Sequence, residues 1–355
     1  MNSFPCNTIL AADLASRTVE RLSADSLGIS RAADLAERFP GDLILACGAL
    51  TGSFAPAACL LTVHAEGGEC LLRGHCGAAL RRCGADALVV RGSSPAACAL
   101  MLHDDGAFFL PVDGASDVPA VRESLGRACA RPASVFEPVF IIAGPAAFAG
   151  HPLAAAALDV GIAPRSGILA RGMAKRGLAA IALAGSAPLP SPMPFDDTLR
   201  SSVPPALVTA SGLRDILRAA SPASEPGRLP APGRSIACYG CPAPCGFWIR
   251  TETGESVPCT SPEGLARLSA AGADAGRIAD VFALACRRGL DPAGLSALAG
   301  GPLPDQPEEI TGDMPEDSPS GHAALAAELG ICPFFLTRRP AYAKALEAFL
   351  SGAET

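Results

Sequence analysis

Three cysteines near the middle of the chain have a spacing that can hold a metal centre. Cys238, Cys241 and Cys245 lie in the segment ACYGCPAPCG, a C-x2-C-x3-C pattern in which Gly240 and two prolines favour tight turns. Such turns bring thiols to one point and direct backbone N–H groups towards a negatively charged cluster. Thiolates are soft ligands that suit zinc or iron–sulfur clusters. No second pair of cysteines or histidines follows at the distance of a zinc ribbon, so the pattern predicts one iron–sulfur cluster.

A four-iron cluster normally needs a fourth thiolate, and the chain offers three later candidates. These are Cys259, Cys286 in ALACRRG and Cys332 after Gly330. Spacing alone does not choose among them. Most other cysteines stand singly in apolar runs, where a free thiol behaves as a small buried hydrophobic residue. The histidines form no pair with each other or with a carboxylate at ligand spacing, which predicts surface or satisfied polar roles for them.

Composition limits the classes of function that are open to the chain. Its hydrophobic fraction is 49%, but every long apolar run is broken by Pro, Gly, His or a charged residue, so no transmembrane helix is expected. The first residues, MNSFPCNTIL, lack the basic segment of a secretory signal, which predicts a cytoplasmic location. A net charge of −7 argues against nucleic-acid binding.

Hydrophobic periodicity predicts a sheet-rich first half and a helical last third. Strands are predicted at 8–14, 17–23, 42–50, 60–66, 69–75, 86–92, 98–105, 107–113, 139–144 and 179–185. Helices are predicted at 77–85, 117–130, 151–161, 261–272, 273–289, 321–329 and 338–352.

The same patterns predict an α+β protein in three parts. Residues 1–188 form a β-sheet-rich α+β domain, and residues 189–234 form a Pro- and Ser-rich linker with one helix at 213–220. Residues 235–355 form a smaller, α-helical domain that carries the cysteine motif.

The cysteine loop and several other segments resemble the tungsten- and molybdenum-dependent aldehyde ferredoxin oxidoreductases. Residues 42–56, DLILACGALTGSFAP, are similar to a family segment that ends in G-P-L-T-G-T-x-A-P, and residues 165–185 resemble its glycine-rich signature. GAALRRCGADALVVRG, CRRGLDPAGLSALAGG and ELGICPFFL are similar to three further family segments. The pieces occur in the family's order and touch most of residues 8–185 and 236–338, as in a shortened and divergent member.

The resemblance implies an N-terminal domain like that of the family, followed by a helical cluster-binding domain. Carried over residue by residue, it assigns the ligands of a [4Fe–4S] cluster to Cys238, Cys241, Cys245 and Cys332. The other two candidate thiols then become ordinary ones. Arg165 and Gly167 are kept from the family's glycine-rich, cofactor-binding loop.

The departures from the family fall where it holds a tungsten or molybdenum bis-pterin cofactor. Apolar or small residues replace the family's polar ones at Leu60, Leu71, Leu265, Cys286 and Ala327, and segment 301–320 replaces the region of its active-site histidine. Buried pterin phosphates and polar groups would be unpaired there. We therefore do not expect a bis-pterin cofactor and assign no catalytic residue.

Together these features favour an iron–sulfur electron-transfer protein of the family, working with a ferredoxin-like protein or a larger redox complex. Two alternatives stay open. One is a compact tungsten or molybdenum bis-pterin aldehyde oxidoreductase, and the other is a non-catalytic assembly or regulatory protein with a structural cluster.

Overall fold

The computed structural model describes most of the chain. The described residues are 7–27, 32–130, 136–189, 229–242, 244–304, 309–310, 323–338, 342–344 and 346–347. The helix predicted at 213–220 and most of the predicted linker lie outside them. In the described ranges, no helix is both long and apolar enough to cross a bilayer.

The first of two six-stranded sheets lies within residues 8–91. Its strands are β1 (Thr8–Asp13), β2 (Thr18–Ser23), β3 (Leu43–Cys47), β4 (Leu61–Ala65), β5 (Gly68–Leu72) and β6 (Ala87–Arg91). They lie in the order β2-β1-β6-β3-β4-β5, with β1 and β6 parallel and the other neighbours antiparallel. The apolar runs LILAC and ALVVR form the two central strands, β3 and β6. Both faces of these strands are buried, which explains why their sequences are continuously apolar. The more polar β2 lies at an edge.

The second sheet lies within residues 98–184. Its strands are β7 (Cys98–His103), β8 (Gly106–Pro111), β9 (Val139–Ile142), β10 (Ala157–Leu158), β11 (Gly161–Ile162) and β12 (Leu178–Ala184). They lie in the order β11-β10-β9-β12-β7-β8, and β7 and β12 are parallel. The hairpin of β7 and β8 forms as predicted, but its two turn residues are Asp104 and Asp105, because Gly106 is already the first residue of β8 and pairs with His103. The α+β, sheet-rich character predicted for this half of the chain is confirmed.

Two helices lie between the sheets, and others cover the outer faces. Helices α2 (Cys76–Arg82) and α5 (Gly167–Lys175) contact both β3 and β12, one strand from each sheet. Helix α1 (Ala32–Arg38) packs on β3, and α3 (Val118–Cys129) packs on β9 and β12. A short helix, α4 (Gly144–Phe148), precedes β10. The resulting layers are helix, sheet, helix, sheet and helix.

The C-terminal part is less purely helical than predicted. It contains α6 (Pro262–Ala270) and α7 (Ala275–Arg288), and Gly289 ends α7 in the left-handed region at φ +70°, as expected for a C-cap. It also contains a third, antiparallel sheet of β13 (Ser235–Ile236), β14 (Gly246–Arg250) and β15 (Ser256–Cys259). The cysteine loop connects β13 to β14, so these short strands fix both of its ends.

The helix predicted at 151–161 is wrong. This segment runs as irregular chain into β10, and Ala154 forms an isolated bridge with Leu290. The N–H of Ala155 donates to the carbonyl of Gly289 at 2.8 Å. The alanines are buried on every side because the segment is held between the second sheet and the residues after α7. Ala-rich apolar sequence fits such a position as well as it fits a helix.

One hydrophobic core joins the two large sheets to the C-terminal helices. It includes Leu45 of the first sheet, Ile181 of the second and Phe282 of α7, all at 1% exposure or less. A second core is formed by residues 50–60 and the C-terminal residues from Ala326 onwards. The division of the chain into three parts therefore stays a prediction.

The last described helices, α8 (Ala323–Leu329) and α9 (Pro333–Arg338), pack on the loop between β3 and β4. The N–H groups of Ala49 and Leu50 donate to the carbonyls of Glu328 and Leu329 at 2.9 and 2.8 Å. The two backbones approach so closely that a Cβ on Gly48 would lie 2.2 Å from the nitrogen of Gly330. Only glycine permits this contact.

Replacing Gly330 by alanine tests this close approach. Gly330 has φ +74°, and a Cβ there would lie 1.9 Å from Oγ1 of Thr51. Gly41→Ala is the matched control, since Gly41 has φ +83° but nothing within 4 Å of its Cβ position. We expect the control to lose about 1–2 kcal/mol of unfolding free energy from backbone strain alone, and Gly330→Ala to lose clearly more. Equal losses in urea unfolding would contradict the packing described here.

Candidate metal centre

The peptide at Ala57 joins the two segments that carry the predicted ligands. Its N–H donates to the carbonyl of Gly240 in the cysteine loop (3.0 Å), and its carbonyl accepts from the N–H of Cys332 (3.1 Å). Ala57 is completely buried and has φ +60°, which is uncommon for a residue other than glycine. The N–H of Leu60 adds a bond to the carbonyl of Gly330 at 2.9 Å. The loop before β4 is thus the scaffold on which both segments meet.

The structure places Cys332 beside the cysteine loop. Cys59 and Cys332 are buried in the same hydrophobic core, Cys238 packs against it, and Cys59 is close enough to both thiols to interact with them. Cys245 lies close enough to Cys238 and Cys332 to interact with them electrostatically. Cys241 is on the same turn, and its N–H donates to the carbonyl of Cys238 at 3.1 Å. Thiols that are far apart in the sequence therefore share one site, and no cysteine in the described ranges is in a disulfide.

Cys59 is a thiol of this site that the sequence alone does not single out. It stands in the apolar run APAACLLTV, where a buried, structural cysteine is the ordinary interpretation. The family-like segment GALTGSFAP ends just before it, and this is the signal that could have drawn attention to it. The side chain is 1% exposed, whereas Cys238 and Cys245 are half-buried.

The thiols perturb one another. The hydrogen bonds that Cys59 makes to Cys238 and Cys332 raise the pKa of Cys59 well above its ordinary value, and burial adds to the rise. The bond from Cys59 lowers the pKa of Cys238, against the effect of burial. Burial raises the pKa of Cys245 to about 11. Cys59 therefore holds its proton more strongly than Cys238.

Arg73 supplies positive charge to the thiols. Burial opposes its charge, but the neighbouring sulfurs, with Cys245 first, raise the pKa of Arg73 overall. Arg73 in turn counteracts the rise in the pKa of Cys245. It follows directly after β5, and nothing in its immediate sequence predicts this position. A cluster with four thiolate ligands carries net negative charge, so a guanidinium among the thiols suits it.

Cys259 and Cys286, the rival candidates for the fourth ligand, lie together elsewhere. Cys259 is the last residue of β15 and belongs to the main core, and its neighbouring thiols are Cys286 first and then Cys245. Cys286 lies on α7, with its Sγ 3.9 Å from the carbonyl oxygen of Pro258. Neither is among the groups that shift the pKa of Cys238, whereas Cys59 is the first of them.

The donor set suits an iron–sulfur cluster better than a single ion. Among the described residues, no three His, Cys, Asp or Glu side chains are arranged around one point at which a metal ion could be held. A [4Fe–4S] cluster makes a different demand, since each of its irons takes one thiolate and the four sulfurs are spread around a larger body. A group made only of thiols, with one guanidinium, fits that demand.

His75 and Asp159 form a pair beside the cysteine loop. Nδ1 of His75 lies 2.5 Å from Oδ2 of Asp159, and the hydrogen bond raises the pKa of His75 against the effect of burial. Gly74, the residue before it, accepts the N–H of Tyr239 at 3.1 Å. The other oxygen of Asp159, Oδ1, is buried and has no hydrogen-bond partner among the described residues. Local spacing could not reveal this pair, because its members are 84 residues apart.

Arg165 and Gly167, which the family resemblance assigns to cofactor binding, lie at the start of α5. The guanidinium of Arg165 donates to both carboxylate oxygens of Glu263, at 3.1 and 3.0 Å. Gly167 allows close packing, since a Cβ there would lie 2.9 Å from the carbonyl oxygen of Ala154. These contacts hold α5 to α6 and to the irregular segment before β10. Cofactor binding by the two residues stays a prediction.

The positions at which the family contacts its bis-pterin cofactor are apolar in this structure too. Leu60 and Leu265 are completely buried in the two hydrophobic cores, and Leu71 packs against the second. None of these side chains can donate a hydrogen bond to a buried phosphate. The residues at these positions do not fit a bis-pterin cofactor.

Replacing Asp291 tests how the start of α5 is held. Its buried carboxylate accepts the N–H groups of Arg165 (2.5 Å) and Ala293 (2.9 Å), and burial raises its pKa. Asp291→Ala leaves both N–H groups unpaired, so we expect a loss of roughly 2–4 kcal/mol of unfolding free energy. Asp291→Asn keeps one acceptor oxygen and should lose less. If Asp291→Ala unfolds at the same urea concentration as the wild type, the two N–H groups have found other hydrogen-bond partners and the expectation is wrong.

Comparisons with known proteins relate the fold to that of other proteins. Residues 40–185 match the model of the aldehyde ferredoxin oxidoreductase N-terminal domain. A solved structure, the active site complex BamBC of benzoyl coenzyme A reductase in complex with 1,5-dienoyl-CoA, is similar with a TM-score of 0.65 and 17% identity. The match covers 83% of this chain and 55% of that one, so this chain spans about half its length. No curated protein matches the sequence. Residues 40–185 therefore resemble the N-terminal domain of the aldehyde ferredoxin oxidoreductases, and the similarity of the solved structure extends to the fold of most of the chain.

Proposed function

We propose that this chain is an iron–sulfur electron-transfer protein of the aldehyde ferredoxin oxidoreductase family. In this proposal Cys238, Cys241, Cys245 and Cys332 hold one [4Fe–4S] cluster. The observation that supports it most directly is the meeting of Cys332 with the cysteine loop, joined through the peptide of Ala57. Two segments far apart in the sequence would have no packing reason to bring several thiols together around an arginine.

The chain's own residues perform three tasks in this proposal. The thiolates hold the irons, Arg73 offsets part of their negative charge, and the N–H of Ala57 fixes the loop at Gly240. When bound, the cluster supplies reversible storage of one electron. The site lies between hydrophobic residues of the second core, which lowers the local polarity and so tunes the reduction potential.

The partial exposure of the loop supports exchange of electrons with another protein. Cys238, Cys241 and Cys245 are all half-buried, whereas Cys332 is 5% exposed. One side of the site is therefore close to the surface and the other is closed by α8 and α9. The similar solved structure is described as an active site complex, which is consistent with a partner for this chain. We propose a redox protein as that partner, either ferredoxin-like or part of a larger complex.

Metal analysis distinguishes this proposal from its alternatives. The chain purified without oxygen should contain iron and sulfide but no tungsten, molybdenum or pterin. A heavy metal with pterin would instead indicate the compact bis-pterin aldehyde oxidoreductase. A cluster that cannot be reduced and reoxidised would indicate an assembly or regulatory protein with a structural cluster.

Cys332→Ala is the sharpest test of the ligand set. We expect its iron content to fall from about four to three or fewer per chain, with loss of the cluster's absorption and electron paramagnetic resonance spectra. Cys286→Ala is the control, because Cys286 is the competing candidate and packs near Pro258. It should keep its iron. The reverse result, with iron lost only from the control, would overturn the assignment of Cys332.

Arg73→Leu tests the role of the positive charge. Without it the reduced, more negative cluster is less stable, so we expect a more negative reduction potential in a redox titration followed by absorption. Arg73→Lys keeps the positive charge, so its reduction potential should be closer to that of the wild type. A potential that moves equally in both variants would mean that packing, and not charge, is the contribution of Arg73.

A further inference from the structure

The small sheet that holds the ends of the cysteine loop has an exposed face with no role in the site described above. Strands β13, β14 and β15 contain no aspartate or glutamate. In β14, Phe247 and Ile249 are buried, whereas Trp248 and Arg250 are exposed. Successive side chains of a strand point to opposite faces of the sheet, so Trp248 and Arg250 lie on one outer face.

Arg234 adds a second positive charge to this face. It directly precedes β13 and is exposed. Its carbonyl accepts the N–H of Trp248 at 2.9 Å, which makes the two residues neighbours across the strands. Ser235 pairs with the buried Phe247, so strand alternation places Arg234 on the other face, with Trp248. The face thus carries a tryptophan between two arginines.

The carboxylates of the adjoining turn point elsewhere. Glu252 and Glu255 lie between β14 and β15. Oε1 of Glu252 lies 2.6 Å from the Cβ position of Gly276, so this side chain is directed to the start of α7. The carbonyl of Glu255 accepts the N–H of Thr251 at 2.9 Å, and both residues alternate with Arg250 in the strand pattern. The outer face is therefore positively charged in a protein whose net charge is −7.

This charged face lies close to the cysteine loop. Strand β14 begins directly after Cys245, so Trp248 is three residues further on, about 10 Å along the strand. Tryptophan and arginine are the side chains that most often dominate the binding energy of protein interfaces. An indole between two guanidiniums is complementary to a surface on which carboxylates surround a small apolar centre.

We propose that the face formed by Arg234, Trp248 and Arg250 is the docking surface for an acidic redox protein of the ferredoxin type. The electron transfer in this proposal rests on the function proposed above. The two arginines attract carboxylates of the partner and steer its approach, while Trp248 becomes buried at the centre of the contact. One electron then passes from the reduced cluster of the partner, which is oxidised, to the cluster of this chain, which is reduced.

The experiment measures binding and electron transfer separately in the full chain, purified without oxygen. The probe is a ferredoxin with two [4Fe–4S] clusters and a negative net charge, titrated by calorimetry at low and at high salt. The variants are Arg250→Glu and Trp248→Ala. Arg127→Glu and Phe108→Ala are the matched controls, because Arg127 on α3 is 72% exposed and Phe108 on β8 is 40% exposed. Urea unfolding midpoints verify that all four variants fold.

We expect the wild type to bind the ferredoxin and to bind it more weakly at high salt. Each variant should bind about tenfold more weakly or less, and the controls should bind as the wild type does. Reduction of the chain's cluster by the reduced ferredoxin should slow in the two variants. Reduction by dithionite, which needs no docking, should proceed at the wild-type rate.

Three results would overturn the docking surface alone. The wild type does not bind the ferredoxin, or Arg250→Glu binds it as tightly as Arg127→Glu does. In the third, the face joins two copies of this chain, as a dimer in sedimentation that Arg250→Glu dissociates. A chain that binds the ferredoxin through this face but holds no iron would instead support the docking surface and overturn the proposed function.

Discussion

The site depends on a pair of backbone hydrogen bonds made by a single buried peptide. Ala57 donates to Gly240 and accepts from Cys332, so one residue of the β3–β4 loop sets the position of both cysteine-bearing segments. Each such bond contributes only about 0.5–1.5 kcal/mol, but breaking one in a core without water leaves a polar group unpaired at a larger cost. The hydroxyl of Tyr342 donates to the carbonyl of Pro56 at 3.1 Å and attaches the last described residues to the same loop. The geometry of the thiols is thus a property of the whole fold.

Close backbone approach is the general means by which this chain builds its interior. Gly48 and Gly330 lie against each other, and Ala154 and Ala155 are held between a sheet and the residues after α7. Small side chains allow these approaches, which explains why a protein with so much alanine has a high hydrophobic fraction without a membrane-spanning helix in its described ranges. The high alanine content is explained by the short distances between packed backbones and not by an apolar environment such as a membrane.

Local patterns in the sequence were sufficient for most of the sheets. Apolar runs such as LILAC and the C-cap at Gly289 each have one physical interpretation, and the structure agrees with it. The hairpin around residues 104–106 forms as predicted, with its turn one residue earlier than the Asp-Gly pair. The Ala-rich segment at 151–161 has two interpretations, a helix and a buried irregular segment. The predicted helix is wrong because the choice between them depends on the tertiary contacts of the segment. The three short strands around the cysteine loop contain too few residues for an alternating hydrophobic pattern to be recognised in the sequence.

The site itself was only partly accessible to sequence reasoning. The spacing of Cys238, Cys241 and Cys245 is a local signal, whereas Cys332 required a resemblance to a family. Arg73 and Cys59 carry no local signal at all, since an arginine after a strand and a cysteine in an apolar run are ordinary. Their importance comes from where β5 ends and where the β3–β4 loop folds, and these are properties of the tertiary structure.

The scattered origin of the site has a consequence for its biosynthesis. The ribosome delivers Cys59 and Arg73 early, the cysteine loop much later and Cys332 later still. At about 5–20 residues per second, translation needs several seconds to pass from Cys245 to Cys332. During that time the loop has neither the peptide partner of Cys332 nor the covering helices α8 and α9. A nascent chain therefore presents an open set of thiols, and the proposed function implies that iron is enclosed only after the C-terminal segment has left the ribosome and docked.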